Sequence, residues 1–124
     1  SILSKSGIHV NIVKGYLLPK TVNMNSLVVI ISVSGNTIET LSNFFSLKII
    51  KKVKKNIIII SEKKDNTLHS LSKKFNLFYV EHKDYISGRY SVLSEVGIVP
   101  AYLMGLNISK LRNNLRKYLW KQNV

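Results

Sequence analysis

The sequence predicts an α/β fold, with a parallel sheet flanked by helices on both faces, and three observations favour it. Continuously apolar runs of strand length recur along the chain, as is typical of strands covered on both faces. Stretches with apolar residues at helical spacing separate these runs. Neither a repeat nor a linker interrupts the alternation, so βαβ units with right-handed crossovers are expected throughout.

The first part of the chain is expected to form two strands and a helix. Residues 8–13, IHVNIV, fit a strand, and residues 27–32 form an apolar run that ends in Ser32. From Ile38 onward the apolar residues recur with a helical period. These residues are Ile38, Leu41, Phe44, Phe45, Leu47 and Ile49.

The middle of the chain repeats this order. Residues 56–61, NIIIIS, predict another fully apolar strand, and residues 77–80, LFYV, predict a short fourth strand. Between them, residues 66–75 have the pattern of an amphipathic helix. Asn66 is the expected N-cap of that helix because its side-chain oxygen can accept a backbone N–H.

The last part of the chain is expected to be helical. Residues 90–106 are apolar enough for a buried helix. Ser109 is a candidate cap for a final helix. The apolar face of that helix would carry Leu111, Leu115 and Leu119.

Composition limits the classes of function. The 124 residues carry a formal net charge of +13, but all except three of the 19 basic residues are lysines spread along the chain. The aromatic residues do not interleave with them as a nucleic-acid stacking platform would require. The chain has no cysteine and no apolar run long enough for a bilayer span. We therefore expect a cytoplasmic protein without a nucleic-acid or membrane partner.

The stretch SVSGNTIET, residues 32–40, stands where a strand should end and a helix begin. In a parallel α/β sheet, ligands bind at such junctions, and a helix N-terminus attracts anions through its free N–H groups and its dipole. Ser32, Ser34 and Thr37 can donate hydroxyl hydrogens to a phosphate. Gly35 allows a tight turn without a Cβ in the path of a ligand.

The helix start within this stretch also has a purely local interpretation. Asn36 and Glu39 have the spacing of a capping box, which would fix the first turn without any ligand. The stretch contains neither the Gly-Lys-Ser/Thr of a nucleotide P-loop nor GxGxxG. The residues alone therefore leave phosphate binding and a simple capped turn both open.

Two motifs carry a family resemblance. SVSGNTIET resembles the phosphate-binding loop of sugar isomerase (SIS) domains. Residues 87–106, SGRYSVLSEVGIVPAYLMGL, resemble the glycine-arginine signature of glucose-6-phosphate isomerases. The matching positions are Gly88, Arg89, Tyr90, Ser91, Val92, Leu93, Ser94, Val96, Gly97 and Pro100.

The chain departs from the family pattern at three positions. Ser87 replaces a usual glycine, Glu95 a usual small residue, and Val33 a common lysine. Glu95 is expected at the surface. Together the motifs imply that residues 1–124 are part of a single SIS-type subdomain, resembling an internal piece of a longer enzyme.

The resemblance implies an enzyme that interconverts glucose 6-phosphate and fructose 6-phosphate through an enediolate, without cofactor or metal. Arg89 would be catalytic, stabilising the enediolate. The substrate phosphate would be held by Ser32, Ser34 and Thr37, with the loop backbone shaped by Gly35, Asn36 and Gly88.

In the family, the proton-transfer glutamate, a ring-opening histidine and a C-terminal lysine follow the arginine motif. This chain would therefore be inactive or nearly so alone. In the family the active site is completed across a homodimer, so the resemblance implies that the whole enzyme is a homodimer in the cytoplasm. His9, His69 and His82 lack ligand spacing and are expected to be surface or loop residues.

Three alternatives remain open at this stage. A non-catalytic SIS domain that senses a sugar phosphate would explain SVSGNTIET but leave GRYSVLS unexplained. A dual phosphoglucose/phosphomannose isomerase would share the stretch SVSGNTIET. A basic nucleic-acid binder is favoured only by net charge.

Overall fold

The computed structural model describes residues 8–15, 25–47, 54–86 and 88–121, and within them a parallel sheet of three strands. The strands are β1 (Val28–Ile31), β2 (Ile57–Glu62) and β3 (Phe78–His82), in the spatial order β1-β2-β3. Both pairs of neighbours run parallel. The predicted α/β class with a parallel sheet is therefore confirmed.

The sheet is held together by its central strand. Val28 pairs with Ile57, and Ile59 pairs with Tyr79, so these residues point to one face. Ile57, Ile59 and Ile60 are fully buried, each stabilising the fold by roughly 1.5–3 kcal/mol relative to exposure. A continuous apolar strand is what a sheet covered on both faces requires.

Two helices cover one face of the sheet. These are α1 (Ile38–Ser46) and α2 (Thr67–Phe75). The ring of Phe44 is 1% exposed and lies 6.2 Å from the ring of Phe75. Since β1-α1-β2 and β2-α2-β3 step across the sheet in the same direction, right-handed crossovers place both helices on the same side.

The segment after β3 differs from the single buried helix that the apolar pattern predicts over residues 90–106. A 3-10 turn, Gly88–Leu93, comes first, and helix α3 covers only Glu95–Leu103. The break falls at Ser94, whose extended backbone marks it as the N-cap of α3 and whose hydroxyl donates to the carbonyl of Ser91 at 2.6 Å. Apolar composition predicted a buried helix, but none of the residues of α3 is fully buried, and the pattern could not locate this break.

The last helix, α4, spans Ile108–Lys121. Ser109 lies inside it, so the predicted cap is wrong. Asn107 takes that role, because its Oδ1 accepts the N–H of Lys110 at 2.9 Å. The side chains of Leu115 and Leu119 lie outside the described part of the structure.

Residues 8–13, predicted as a strand, form none among the described residues. Ile12 is 78% exposed and Ile8 is 43% exposed, so the apolar side chains lack the packing that makes a strand favourable.

The described helices include none long and apolar enough to cross a membrane.

Candidate functional site

The candidate site lies at the edge of the sheet where all three parallel strands end. The loop after β1, residues 32–37, contains Ser32, Ser34 and Thr37 and is named the hydroxyl loop. It continues the sheet: Ser32 N–H donates to the Ile60 carbonyl at 3.1 Å, and Glu62 N–H donates to the Val33 carbonyl at 3.0 Å. Glu62 in turn pairs with His82, the last residue of β3. The loop after each strand therefore begins at the same edge.

The structure brings together two of the three predicted phosphate-binding hydroxyls. The Oγ of Ser32 and the Oγ1 of Thr37 lie 2.8 Å apart in a hydrogen bond. Ser32 is 6% exposed, whereas Thr37 is exposed. Ser34 is also exposed, and its Oγ accepts the Asn36 N–H at 3.3 Å. The buried hydroxyl thus supports one that faces outward.

The predicted capping box at the start of α1 is wrong. The N-cap residue is Thr37, and its side chain makes no capping hydrogen bond. The Oδ1 of Asn36 instead accepts the N–H of Thr67 at 2.9 Å and its hydroxyl at 3.0 Å. Glu39 lies in the first turn, where a carboxylate interacts favourably with the helix dipole. The side chain of Asn36 thus stabilises the start of α2 rather than its own helix.

The start of α2 supports the hydroxyl loop through a backbone hydrogen bond and through packing against Gly35. Leu68 N–H donates to the Gly35 carbonyl at 3.0 Å. Asn66, 5% exposed, caps α2 as predicted by accepting the His69 N–H at 2.9 Å, and it donates to the Glu62 carbonyl at 2.7 Å. Its amide fills the space that a Cβ at Gly35 would need.

Gly35 is required by conformation as well as by space. Its φ is +69°, in the left-handed region that other residues adopt only at a cost. The prediction that this glycine shapes the loop has a physical basis in both the dihedral angle and the contact with Asn66.

The arginine segment begins just after β3. Gly88 and Arg89 start the 3-10 turn Gly88–Leu93, but the side chain of Arg89 and the whole of Ser87 lie outside the described part of the structure. The carbonyl of Val92 packs against the backbone of Gly97, in the position that a Cβ there would occupy. Gly97 therefore allows the 3-10 turn to lie directly on α3.

His82 contradicts its predicted surface or loop position, whereas Glu95 lies partly at the surface. The His82 side chain is 0% exposed, and its Nε2 lies 2.7 Å from the carbonyl oxygen of Ile86. Its Nδ1 lies 3.6 Å from the Oε2 of Glu95, whose side chain is 33% exposed. No motif identified this contact, because the two residues belong to different elements.

The other two histidines differ from each other. His9 is exposed, as predicted. His69 lies inside α2, half-buried, with its ring 4.8 Å from that of Tyr79. Partial burial raises the pKa of Tyr79, whose hydroxyl donates to the Ser61 carbonyl at 2.8 Å. Among the described residues, no group of three or more acidic, histidine or cysteine side chains could hold a metal ion.

A lysine links the loops after β2 and β3. The Nζ of Lys64 lies 3.1 Å from the Glu62 carboxylate and 3.7 Å from that of Asp84. The hydrogen bond and charge of Glu62, followed by those of Asp84, raise the pKa of Lys64. This cation at the strand-end edge was not singled out from the sequence, since a lone lysine in a lysine-rich chain gives no signal.

A cavity of about 790 Å³ lies beside β1, between residues 9–15 and α1. Of the predicted phosphate-binding residues it includes Thr37, but not Ser32 or Ser34. The converging hydroxyls therefore place the candidate site at the strand-end edge rather than in the body of this cavity.

No family model matches the chain. Curated relatives do. Over 90 residues the chain is 42% identical to a probable glucose-6-phosphate isomerase of Methanococcus maripaludis, covering 69% of this chain and 20% of that protein. Over 105 residues it is 31% identical to glucose-6-phosphate isomerase of Methanocaldococcus jannaschii, covering 79% of this chain and 25% of the relative.

A solved structure supports the fold independently. A hypothetical protein from Thermus thermophilus superposes with a TM-score of 0.70 at 24% identity, covering 79% of this chain and 25% of that one. The chain spans only about a fifth to a quarter of the curated relatives it matches. Over that stretch, its sequence similarity places it in the glucose-6-phosphate isomerase family.

Proposed function

We propose that the complete protein containing this chain interconverts glucose 6-phosphate and fructose 6-phosphate, and that this chain is part of one SIS-type subdomain. The hydrogen bond between the Ser32 and Thr37 hydroxyls, directly ahead of α1, is the observation that carries the proposal. It is supported by the similarity to glucose-6-phosphate isomerases over most of the chain.

The hydroxyl loop would bind the substrate phosphate. The first turn of α1 presents N–H groups that Thr37 does not cap, and the helix dipole adds a partial positive charge there. Phosphate oxygens would accept from these groups and from the hydroxyls of Ser34 and Thr37, with Ser32 holding Thr37 in place. This remote binding energy would keep the sugar aligned for reaction.

Arg89 would act at the other end of the substrate. Proton transfer between C2 and C1 develops negative charge on an enediolate oxygen. A fixed guanidinium aimed at that oxygen stabilises the transition state more than the substrate. Gly88 would allow the backbone to present Arg89. We assign the proton-transfer base to no residue of this chain.

The test is a coupled assay of the complete protein with glucose 6-phosphate, comparing Arg89→Ala with Arg112→Ala. Arg112 is exposed on α4 and is the matched control. Loss of a transition-state donor should lower kcat by ~10²–10³ in Arg89→Ala, while Arg112→Ala stays near the wild-type rate.

The assay separates the competing functions. Turnover of mannose 6-phosphate at a comparable rate would indicate a dual-specificity isomerase. A folded complete protein that binds glucose 6-phosphate but turns over neither sugar would contradict the proposal and indicate a sugar-phosphate sensor. Wild-type kcat in Arg89→Ala would remove the role assigned to the arginine.

A further inference from the structure

The buried imidazole of His82 contacts both ends of the segment that carries Arg89. Its Nε2 lies 2.7 Å from the Ile86 carbonyl oxygen, and its Nδ1 lies 3.6 Å from Oε2 of Glu95. Ile86 comes just before the 3-10 turn Gly88–Leu93, and Glu95 begins the helix after it. One ring therefore connects the entry and the exit of the turn.

The contact to Ile86 determines where the ring carries its hydrogen. A carbonyl oxygen only accepts, so Nε2 must be the donor in that hydrogen bond. Nδ1 and the Glu95 carboxyl then attract each other only if one proton lies between them, on either partner. Without that proton, a nitrogen lone pair would face a carboxylate oxygen.

Burial makes the contact between His82 and Glu95 energetically important. The Nδ1 of His82 and the Oε2 of Glu95 are both buried, and neither has a hydrogen-bond partner among the described residues. Each atom has therefore lost water and depends on the other. The side chains of the nearby ion pair Glu81–Lys83, 3.1 Å apart, are 39% and 43% exposed and keep their contact with solvent.

We propose that His82 and Glu95 form a positioning pair that fixes Ile86 and the start of α3, and thereby the backbone of the 3-10 turn Gly88–Leu93, which carries Arg89. This proposal rests on the role proposed above for Arg89. In this proposal, neither His82 nor Glu95 contacts the substrate.

The kinetic test compares Glu95→Leu, Glu95→Gln and Glu81→Gln in the complete protein. Leucine leaves Nδ1 without a partner, whereas the glutamine amide can donate an N–H to it. Displacement of Arg89 should lower kcat by ~10- to 100-fold in Glu95→Leu, with KM changed by less than about twofold because phosphate binding persists. Glu95→Gln should recover at least about tenfold of that loss, and Glu81→Gln should match wild type.

Hydrogen exchange provides a readout that does not need activity. Amides in residues 86–95 should exchange faster in Glu95→Leu than in wild type, while peptides from β2 and α2 stay unchanged. Equal kcat in the leucine and glutamine variants, or unchanged exchange in residues 86–95, would overturn the pair. An inactive wild type would count against the proposed function alone, and the exchange comparison would still decide on the pair.

Discussion

At the scale of single residues, the hydroxyl loop depends on one glycine with two constraints. Gly35 combines a φ of +69° with a Cβ position already filled by the amide of Asn66. Gly105 has a φ of +86° but open space at its Cβ position. The two glycines thus separate the cost of backbone conformation from the cost of steric overlap.

We expect Gly35→Ala to destabilise the protein more than Gly105→Ala. The left-handed backbone alone should cost about 1–2 kcal/mol in each variant. Overpacking against Asn66 should add ~1–3 kcal/mol at Gly35 only. Urea denaturation of both variants measures the difference, and equal losses would show that Asn66 moves aside without cost.

The site residues were predictable only where the chemistry is local. Ser32 and Thr37 belong to one dense run of hydroxyls, and the structure joins them. Asn36 has the spacing of a capping residue, yet its side chain bonds to Thr67, far along the chain. His82 and Glu95 meet through folding alone, so no spacing rule could have paired them.

At the scale of elements, the strands were predictable because buried parallel strands are continuous apolar runs. The structure places β2 at Ile57–Glu62, one residue later than the predicted 56–61. The run at 8–13 also contains apolar residues, but Ile8, Ile12 and Val13 are exposed in the structure. Whether a short apolar run becomes a strand depends on a neighbouring strand, which a local pattern does not specify.

Asn66, the N-cap of α2, also packs against Gly35 of the hydroxyl loop. A substitution of Asn66 therefore tests whether the start of α2 supports that loop. In Asn66→Ala we expect a loss of about 1 kcal/mol for the cap, plus ~0.5–1.5 kcal/mol for the lost hydrogen bond to the Glu62 carbonyl, which still accepts the N–H of Lys64. Because Asn66 also packs beneath Gly35, KM for glucose 6-phosphate should rise.

Asn107→Ala is the matched control for this prediction. Asn107 caps α4 and is exposed, so it should lose only the capping energy, with KM unchanged. Chemical denaturation and steady-state kinetics provide both measurements. If the two variants lose equal stability and keep equal KM, the start of α2 does not support the hydroxyl loop.

At the scale of the whole molecule, large apolar side chains remain exposed on several elements. Phe45 and Phe78 are each 65% exposed, and Tyr102 is 69% exposed. Apolar surface of this kind favours association. We expect the 124-residue chain, expressed alone, to self-associate at micromolar concentration. The double variant Phe45→Lys, Phe78→Lys should self-associate less. Sedimentation velocity measures the degree of self-association of both chains. A wild-type chain that stays monomeric at high concentration would contradict the prediction.

The strand order has a consequence for how the chain acquires its structure. Each described strand pairs with the one that precedes it in the sequence. During synthesis, β1 leaves the ribosome before β2, and β2 before β3. Each later strand therefore emerges when the strand with which it pairs has already been made. Such short-range pairing keeps contact order low for a parallel sheet and speeds folding. The sheet can grow in the order of synthesis, without waiting for a strand that has yet to be made.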